Sequence, residues 1–472
     1  MIIEQIYTGC LAQGAYYIES EGEVAIIDPL REVKNYIVKA EDNNAKIKYI
    51  FETHFHADFV SGHVTLSKQT GAPIIYGPTA NPSFAAIIAK DGQEFKLGKL
   101  TIKALHTPGH TMESTTYLLK DENGKDHAIF SGDTLFLGDV GRPDLAQKAA
   151  DMTMEDLAGL SFDSLRSKIM PLADDVTVYP GHGAGSACGK NMMKETVDTL
   201  GNQKQMNYAL RADMTKAEFV KELTDGLLPP PKYFPLNVQL NKEGGYEDID
   251  KIIKKGTKAL SPDAFEAAAN KTEALILDVR HQSEFIKSHI PRSIFIGLKG
   301  GFAPWVGALI ADIKQPLLLV VDKGFEEEAI TRLSRVGFDN TLGYLEGGLQ
   351  AWKEVKKETD DLVSISAEAF KERLEKDKIP VFDVRKESEF IAGHIENANF
   401  TPLGDLNSHL AEFPKSDTFY VHCAGGYRSV IAASILKSRG IHNLVDVAGG
   451  MGAIKNVGIP VSDFVCPTTL KK

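Results

Sequence analysis

The chain is poor in cysteine: Cys10, Cys188, Cys423 and Cys466 stand far apart in 472 residues. That excludes a disulfide framework and reads as free thiols in a reducing compartment. Basic residues are in deficit, with 53 Lys and Arg against 64 Asp and Glu and a net charge of −11. No Lys/Arg run supplies the basic face of a nucleic-acid binder, so nucleic acid is excluded as a partner. Long apolar runs are also missing. The longest resemble Leu317–Val321, well short of the ~18 residues of a membrane span, so no membrane role is expected. The first 30 residues hold no Lys or Arg, which argues against a secretory leader and for a cytoplasmic location.

Apolar residues make up 43% and charged residues 25%, an ordinary globular composition. At roughly 150 residues per domain the length predicts about three domains. Short apolar strands at Val24–Ile27, Ile47–Phe51, Leu100–Leu105, Ala128–Phe130 and Val176–Tyr179 alternate with helical stretches such as Val60–Thr70 and Leu157–Ile169. The pattern is α/β multidomain. The Pro-rich run Leu227–Pro235 reads as an extended arm leaving the first domain, and residues 243–262 as a polar linker with one short helix. The C-terminal half repeats itself. Leu277-Asp278-Val279-Arg280 with Glu284-Phe285-Ile286 and His289-Ile290 recurs as Phe382-Asp383-Val384-Arg385 with Glu389-Phe390-Ile391 and His394-Ile395, at a constant offset of 105. Glu346-Gly347-Gly348 matches Ala448-Gly449-Gly450 at an offset of 102, so intervening loops differ in length.

Four strand-to-turn junctions in the first domain carry metal-capable side chains. They are His54-Phe55-His56-Ala57-Asp58-Phe59, Thr107-Pro108-Gly109-His110, Ser131-Gly132-Asp133-Thr134 and Tyr179-Pro180-Gly181-His182. Loops at one end of a sheet gather in space, so ligands distant in sequence can converge on one metal. His54, His110 and Asp133 supply two imidazoles and one carboxylate, the facial triad of non-haem iron(II) oxygenases. The alternative is tetrahedral zinc activating a water for hydrolysis.

These residues resemble the metallo-β-lactamase fold family, with its His-x-His-x-Asp-His signature followed by His, Asp and His, across about 200 residues. The resemblance implies an αββα fold. Phe59 stands where the family's last signature histidine belongs, which weakens a second metal site and favours one metal. The persulfide dioxygenase branch of that family uses the iron triad, and Gly141-Arg142-Pro143-Asp144 extends the resemblance to it. By that resemblance one iron(II) per chain is held by His54, His110 and Asp133, with O2 as co-substrate. His56, Asp58, His182, Arg142 and Asp144 then orient ligands or meet substrate. The alternative for Arg142 is a surface ion pair with Asp144. Cys188, six residues after His182, either holds a persulfide in transit or packs in a Gly-rich turn.

A second constellation is a thiol in an anion-binding loop. The strand Thr418–His422 feeds Cys423-Ala424-Gly425-Gly426-Tyr427-Arg428, then a helix. Successive backbone N–H groups can point at one anion there, the helix dipole adds positive potential, and Arg428 adds a full charge. Both repeat copies resemble rhodanese domains. The resemblance makes Cys423 the carrier of sulfane sulfur and Arg428 the loop-closing arginine, with Ala424, Gly425, Gly426 and Tyr427 as the anion loop. In the first copy Val320-Val321-Asp322-Lys323-Gly324-Phe325-Glu326-Glu327-Glu328 occupies the loop, with Asp322 expected at the Cys position. Without a nucleophile, and with carboxylates repelling anionic sulfur, this copy is expected to be silent and to serve in packing or spacing. Cys10 and Cys466 have no supporting neighbours.

The expected organisation is a metallo-β-lactamase-fold domain over 1–245, a linker over 246–262, a silent rhodanese-like domain over 263–358 and an active one over 363–466. The resemblances imply oxidation of a low-molecular-weight thiol persulfide by O2 to sulfite and thiol, coupled to sulfur transfer at Cys423 between persulfide, sulfite and thiosulfate, for sulfide detoxification. Two rivals are a zinc thioester hydrolase resembling glyoxalase II with a fused sulfurtransferase, and a non-enzymatic persulfide carrier or sensor. The carrier thiol (glutathione, coenzyme A or bacillithiol) is left open, and the resemblance allows a homo-oligomer.

Overall fold

The computed structural model describes residues 1–147, 151–227 and 229–462. They fall into two compact units, one of Met1–Lys251 with Thr331–Asp339, the other of Ile252–Ile330 with the described residues from Asn340 onward. Among the described residues no helix is long and apolar enough to cross a membrane.

In the first unit, strands at Ile2–Thr8, Gln13–Ser20, Glu23–Ile27, Lys46–Phe51, Ile74–Tyr76 and Ile87–Ile88 form one six-stranded sheet. Glu94–Leu97, Leu100–His106, Thr115–Lys120, Asp126–Gly132, Thr177–Pro180 and Asp198–Thr199 form the other. Alternation along the strands decides which face each residue serves. Tyr16, Ile18, Ala25, Ile27, Phe51 and Ile75 meet Phe95, Leu97, Ile102, Tyr117, Leu119 and Phe130 between the sheets. The intervening Tyr17, Val24, Ile26 and Ile50 pack outward with Val33, Tyr36 and Ala40. On the other sheet Leu105, Leu118, Ile129 and Val178 pack with Ala158 and Leu165. Both faces of both sheets are therefore buried, and the layers are αββα.

Local chemistry moves several expected boundaries. The helix expected from Val60 begins at His63, because the Ser61 N–H donates to Asn241 Oδ1 and the Gly62 N–H to the Pro29 carbonyl. The helix expected from Leu157 begins at Met154, set by a capping box between Thr153 and Asp156. The Pro-rich run does not leave the first unit. A helix, Phe234–Glu243, starts with Pro235 in its first turn, Tyr233 and Phe234 are buried, and Asn241 reaches back to the carbonyls of His56 and Phe59. Proline is compatible with a first helical turn, which is why the extended reading stops short there.

The second unit contains two five-stranded sheets whose pairings are all parallel. The sequence repeat is also a repeat of buried bonding. Arg280 chelates Asp278 and donates to the Ser288 carbonyl; Arg385 chelates Asp383 and donates to the Gly393 carbonyl. His289 stacks on Phe285 at 3.9 Å and His394 on Phe390 at 3.8 Å. Each arginine ties the end of a strand to the turn that closes the helix after it. Asp383→Ala leaves the Arg385 guanidinium buried without its counter-charge and is expected to lower the stability of its domain by about 3–5 kcal/mol. The denaturation midpoint of that transition checks it, and a loss within about 0.5 kcal/mol would contradict the role given to the pair.

Candidate metal centre and thiol loop

Four strand ends of the first unit bring His54, His110, Asp133 and His182 together, all buried. Ligand atoms of His54, His110 and Asp133 lie within 4.8 Å of one another. The tautomers are set by hydrogen bonds. His110 Nδ1–H donates to the Arg142 carbonyl at 2.8 Å, which leaves Nε2 bare and 3.4 Å from Asp133 Oδ2. Thr53 Oγ1 donates to Asp28 Oδ2, so it accepts from His54 Nδ1–H at 3.0 Å, leaving the second Nε2 bare and 3.9 Å from the same oxygen. Burial, then the neighbouring His56, pushes His54 well below the ordinary histidine range, so it stands neutral and able to ligate. Asp133 Oδ2 is buried with no hydrogen-bond partner. Two bare imidazole nitrogens around one orphaned carboxylate oxygen fit a divalent cation.

The other oxygen is engaged. His182 Nδ1–H donates to Asp133 Oδ1 at 2.8 Å and Nε2–H to Asp58 Oδ2 at 2.8 Å. Burial alone would lower His182, but Asp133 and then Asp58 outweigh it and hold the ring well above the ordinary histidine range. For Asp133, burial is outweighed by His182 and then His54, and its carboxylate stays ionised. A close approach is built in: a Cβ on Gly141 would lie 2.1 Å from the Asp133 carbonyl and 2.9 Å from His110 Nδ1.

Asp58, His182 and Cys188 also place ligand atoms within 4.8 Å of one another. Cys188 is buried, and burial with Asp58 and Asp133 holds its thiol protonated. Arg142 and Asp144 form a largely buried bidentate pair at 2.6 Å, not a surface pair. Arg142 also donates to the carbonyls of Cys188 and Ala187, so it braces the loop that carries the thiol. Asp28, Glu52 and Asn241 fall outside the four motifs read from the sequence. Asp28 and Glu52 follow strands at the same sheet end as the histidines, a signal that the strand-end pattern could have included.

In the last domain Cys423 is buried at the end of the strand Phe419–His422. Its Sγ accepts from the Gly426 N–H at 3.1 Å and lies 3.5 Å from Ser429 Oγ. A Cβ on Gly450 (φ +53°) would meet the Cys423 carbonyl at 2.3 Å, so only glycine lets that turn close over the loop. Arg428 does not present a free charge. It makes a bidentate pair with Glu389 at 2.6 and 2.7 Å, which leaves backbone N–H groups and the helix end as the main positive field at the sulfur. Tyr427 Oη donates to the Gly297 carbonyl of the first copy, and Ser434 Oγ accepts from the Phe295 N–H.

Strand pairing corrects the expected occupant of the first copy's Cys position. The Val279 N–H donates to the Val320 carbonyl as the Val384 N–H does to that of His422. Val321, not Asp322, is therefore the counterpart of Cys423, and Glu326 begins its helix where Arg428 begins the other. The Gly324 N–H, counterpart of the one on Cys423 Sγ, donates to Glu326 Oε2 at 2.8 Å. A carboxylate of the chain itself thus fills the cradle, beside a cavity of about 720 Å³ that Arg280, Asp322, Lys323 and Lys353 help to line. In a chain carrying Cys423→Ser, adding Val321→Cys is expected to leave sulfur transfer roughly 10²-fold or more below the native level, the scale of losing an anion-stabilising donor. A thiosulfate:cyanide assay reads it; substantial rescue would show that Glu326 is no obstacle.

This site on this fold defines a metal-dependent, hydrolase-like class of protein, joined to a pair of repeated α/β domains. The metallo-beta-lactamase superfamily model matches residues 8–182, and the rhodanese-like domain model matches 261–355 and 366–456. The chain belongs to the metallo-beta-lactamase superfamily and carries two rhodanese-like domains. A metallo-beta-lactamase from Staphylococcus aureus subsp. aureus COL, of known structure, is 30% identical with a TM-score of 0.63, covering 73% of this chain and 98% of its own. ETHE1 from Myxococcus xanthus is 28% identical with a TM-score of 0.45, covering 52% of this chain and 100% of its own. The cytoplasmic hydroxyacylglutathione hydrolase of Arabidopsis thaliana is 31% identical over 178 residues, 37% of this chain and 65% of its own length.

Proposed function

We propose that the first unit is an iron(II)-dependent dioxygenase for a low-molecular-weight thiol persulfide, and that the last domain passes sulfane sulfur through Cys423. The observation that carries the reading is the ligand set: His54, His110 and Asp133 converge, while Phe59 supplies no donor for a second ion. Two imidazoles and one carboxylate leave coordination positions for substrate and O2. Iron bound there would supply activation of O2. The chain's own groups do the rest. The hydrogen bonds at the two Nδ1 atoms aim the imidazoles, His182 holds the carboxylate, and the pair of Arg142 and Asp144 fixes the loop over the site.

The balance is R–S–S⁻ + O2 + H2O → R–SH + SO3²⁻ + H⁺. At Cys423, Cys–S–S⁻ + SO3²⁻ → Cys–S⁻ + S2O3²⁻, or its reverse. The Gly426 N–H is placed to stabilise the thiolate that leaves. Tethering the two sites raises the effective concentration at which sulfite meets the persulfide. The expected role is sulfide detoxification, and the first rhodanese copy serves as packing for the second.

A second reading is a two-zinc thioester hydrolase, favoured by the name of the Arabidopsis relative and by the presence of Asp58 and His182. One experiment separates them: O2 uptake by iron-loaded full-length protein with glutathione, coenzyme A and bacillithiol persulfides, measuring sulfite and thiosulfate. Uptake is expected, falling by 10²-fold or more in His110→Ala. Cys423→Ser is expected to keep uptake and accumulate sulfite. Hydrolysis of S-lactoylglutathione by two-zinc protein, with no O2 consumed, would overturn the proposal.

A further inference from the structure

The thiol loop of the last domain is held from two sides. Upstream, its own domain does the holding: the Met451 N–H donates to the Cys423 carbonyl at 2.7 Å and the Gly452 N–H to the Ala424 carbonyl at 3.1 Å. Two glycines follow, Gly425 exposed and Gly426 in the left-handed region at φ +91°. A glycine pair adds little stiffness of its own, so the aim of the Gly426 N–H at Cys423 Sγ depends on what fixes the next residues. Arg428 is tied to Glu389 within the domain. Tyr427 is tied to the other copy. Its Oη donates to the Gly297 carbonyl at 2.7 Å, and its ring meets that of Phe295 in a T-shape with centroids 5.7 Å apart. A Cβ on Gly300 would lie 2.3 Å from Tyr427 Cζ, so the ring fills a slot that only glycine leaves open. A second tie runs beside it: the Phe295 N–H, on the edge strand of the first copy's sheet, donates to Ser434 Oγ on the helix Arg428–Ser438 that follows the loop.

The seat belongs to the first copy alone. The Ile296 and Leu298 N–H groups donate to the carbonyls of Asp278 and Val279, as those of Thr401 and Leu403 donate to Asp383 and Val384. Gly297 therefore matches Pro402, and Gly300, three residues on, matches Asp405. The copy without a thiol keeps glycines at these positions, and the copy with one does not. We propose that the first copy is a template for the thiol loop of the second: Gly297 and Gly300 seat Tyr427, a positioning residue, which holds the Gly426 N–H on the sulfur. This rests on the reading of Cys423 as a sulfur carrier and gives the first copy a part in the transfer beyond packing.

The test uses full-length protein and two readouts: thiosulfate:cyanide turnover, and amide hydrogen exchange of the peptide spanning 423–430 followed by mass spectrometry. Gly300→Ala is expected to lower kcat on the order of tenfold, with KM for thiosulfate within about twofold, the scale of a donor moved off its target. Exchange in that peptide is expected to rise on the order of tenfold as well, because the loop opens more often. Tyr427→Ala is expected to do the same. Adding Gly300→Ala to it is expected to cost nothing more, because the slot then has no ring to displace. Losses that multiply independently would overturn the proposal. So would wild-type turnover and exchange in folded Gly300→Ala, or a loss that falls on KM alone. If Gly300→Ala does not fold, Tyr427→Ala against Tyr427→Phe decides. The phenylalanine keeps the ring and is expected to retain most of the turnover, whereas wild-type exchange in Tyr427→Ala would sink the seat. Absence of sulfur transfer in the wild-type chain would sink the reading of Cys423, and the exchange comparison would still decide whether the first copy holds the loop. Unchanged exchange in the variants beside an active wild type sinks the seat and leaves that reading standing.

Discussion

The first unit turns on one buried carboxylate with unequal oxygens. Asp133 Oδ1 is held by His182, and Oδ2 faces the bare nitrogens of His54 and His110. Taking a carboxylate out of water costs several kcal/mol unless it is paired and hydrogen-bonded, so Asp133 requires the histidines as much as they require it. The same requirement explains why four strand ends must meet at one edge of the αββα layers. It also explains why the loops after them are braced by buried bonds, from Arg142 to the carbonyls of Ala187 and Cys188 and from Asn241 to those of His56 and Phe59.

Partnership, more than residue type, sets which nitrogen each buried histidine leaves open. His54 and His56 stand two residues apart on one turn. The first gives Nδ1 to Thr53 and leaves Nε2 bare beside Asp133; the second sets Nε2 3.1 Å from Asp28 Oδ1 and leaves Nδ1 without a hydrogen-bond partner. The rhodanese copies make the same point. They share sheets, buried Asp–Arg pairs and ring stacks, yet the N–H that meets sulfur at Gly426 meets a carboxylate at Gly324. Chemistry resides in the occupant of the loop, and the fold tolerates either.

Much of this was legible in order. Alternating apolar residues marked the strands, and the residues just past them marked the site, because a strand end in a buried sheet is where side chains can converge on a ligand. The 105-residue offset marked the twin domains because identical buried pairs recur at it. The expectation of Asp322 at the Cys position misses by one residue; hydrogen-bond register, not distance along the chain, aligns two loops of unequal surroundings. The Pro-rich run misled because proline tolerates both an extended segment and the first turn of a helix.

The sequence by itself determined the inventory: imidazoles and carboxylates at strand ends, a phenylalanine in place of a further histidine, one thiol in the last domain's Gly-rich loop and a matching loop without a thiol. Only the tertiary structure decided which nitrogen of each histidine is bare, which carboxylate oxygen is open, and that Asp28, Glu52 and Asn241 gather around His56. Those assignments depend on hydrogen bonds between residues up to 185 positions apart, and such partners exist only once the sheets have brought the strand ends together.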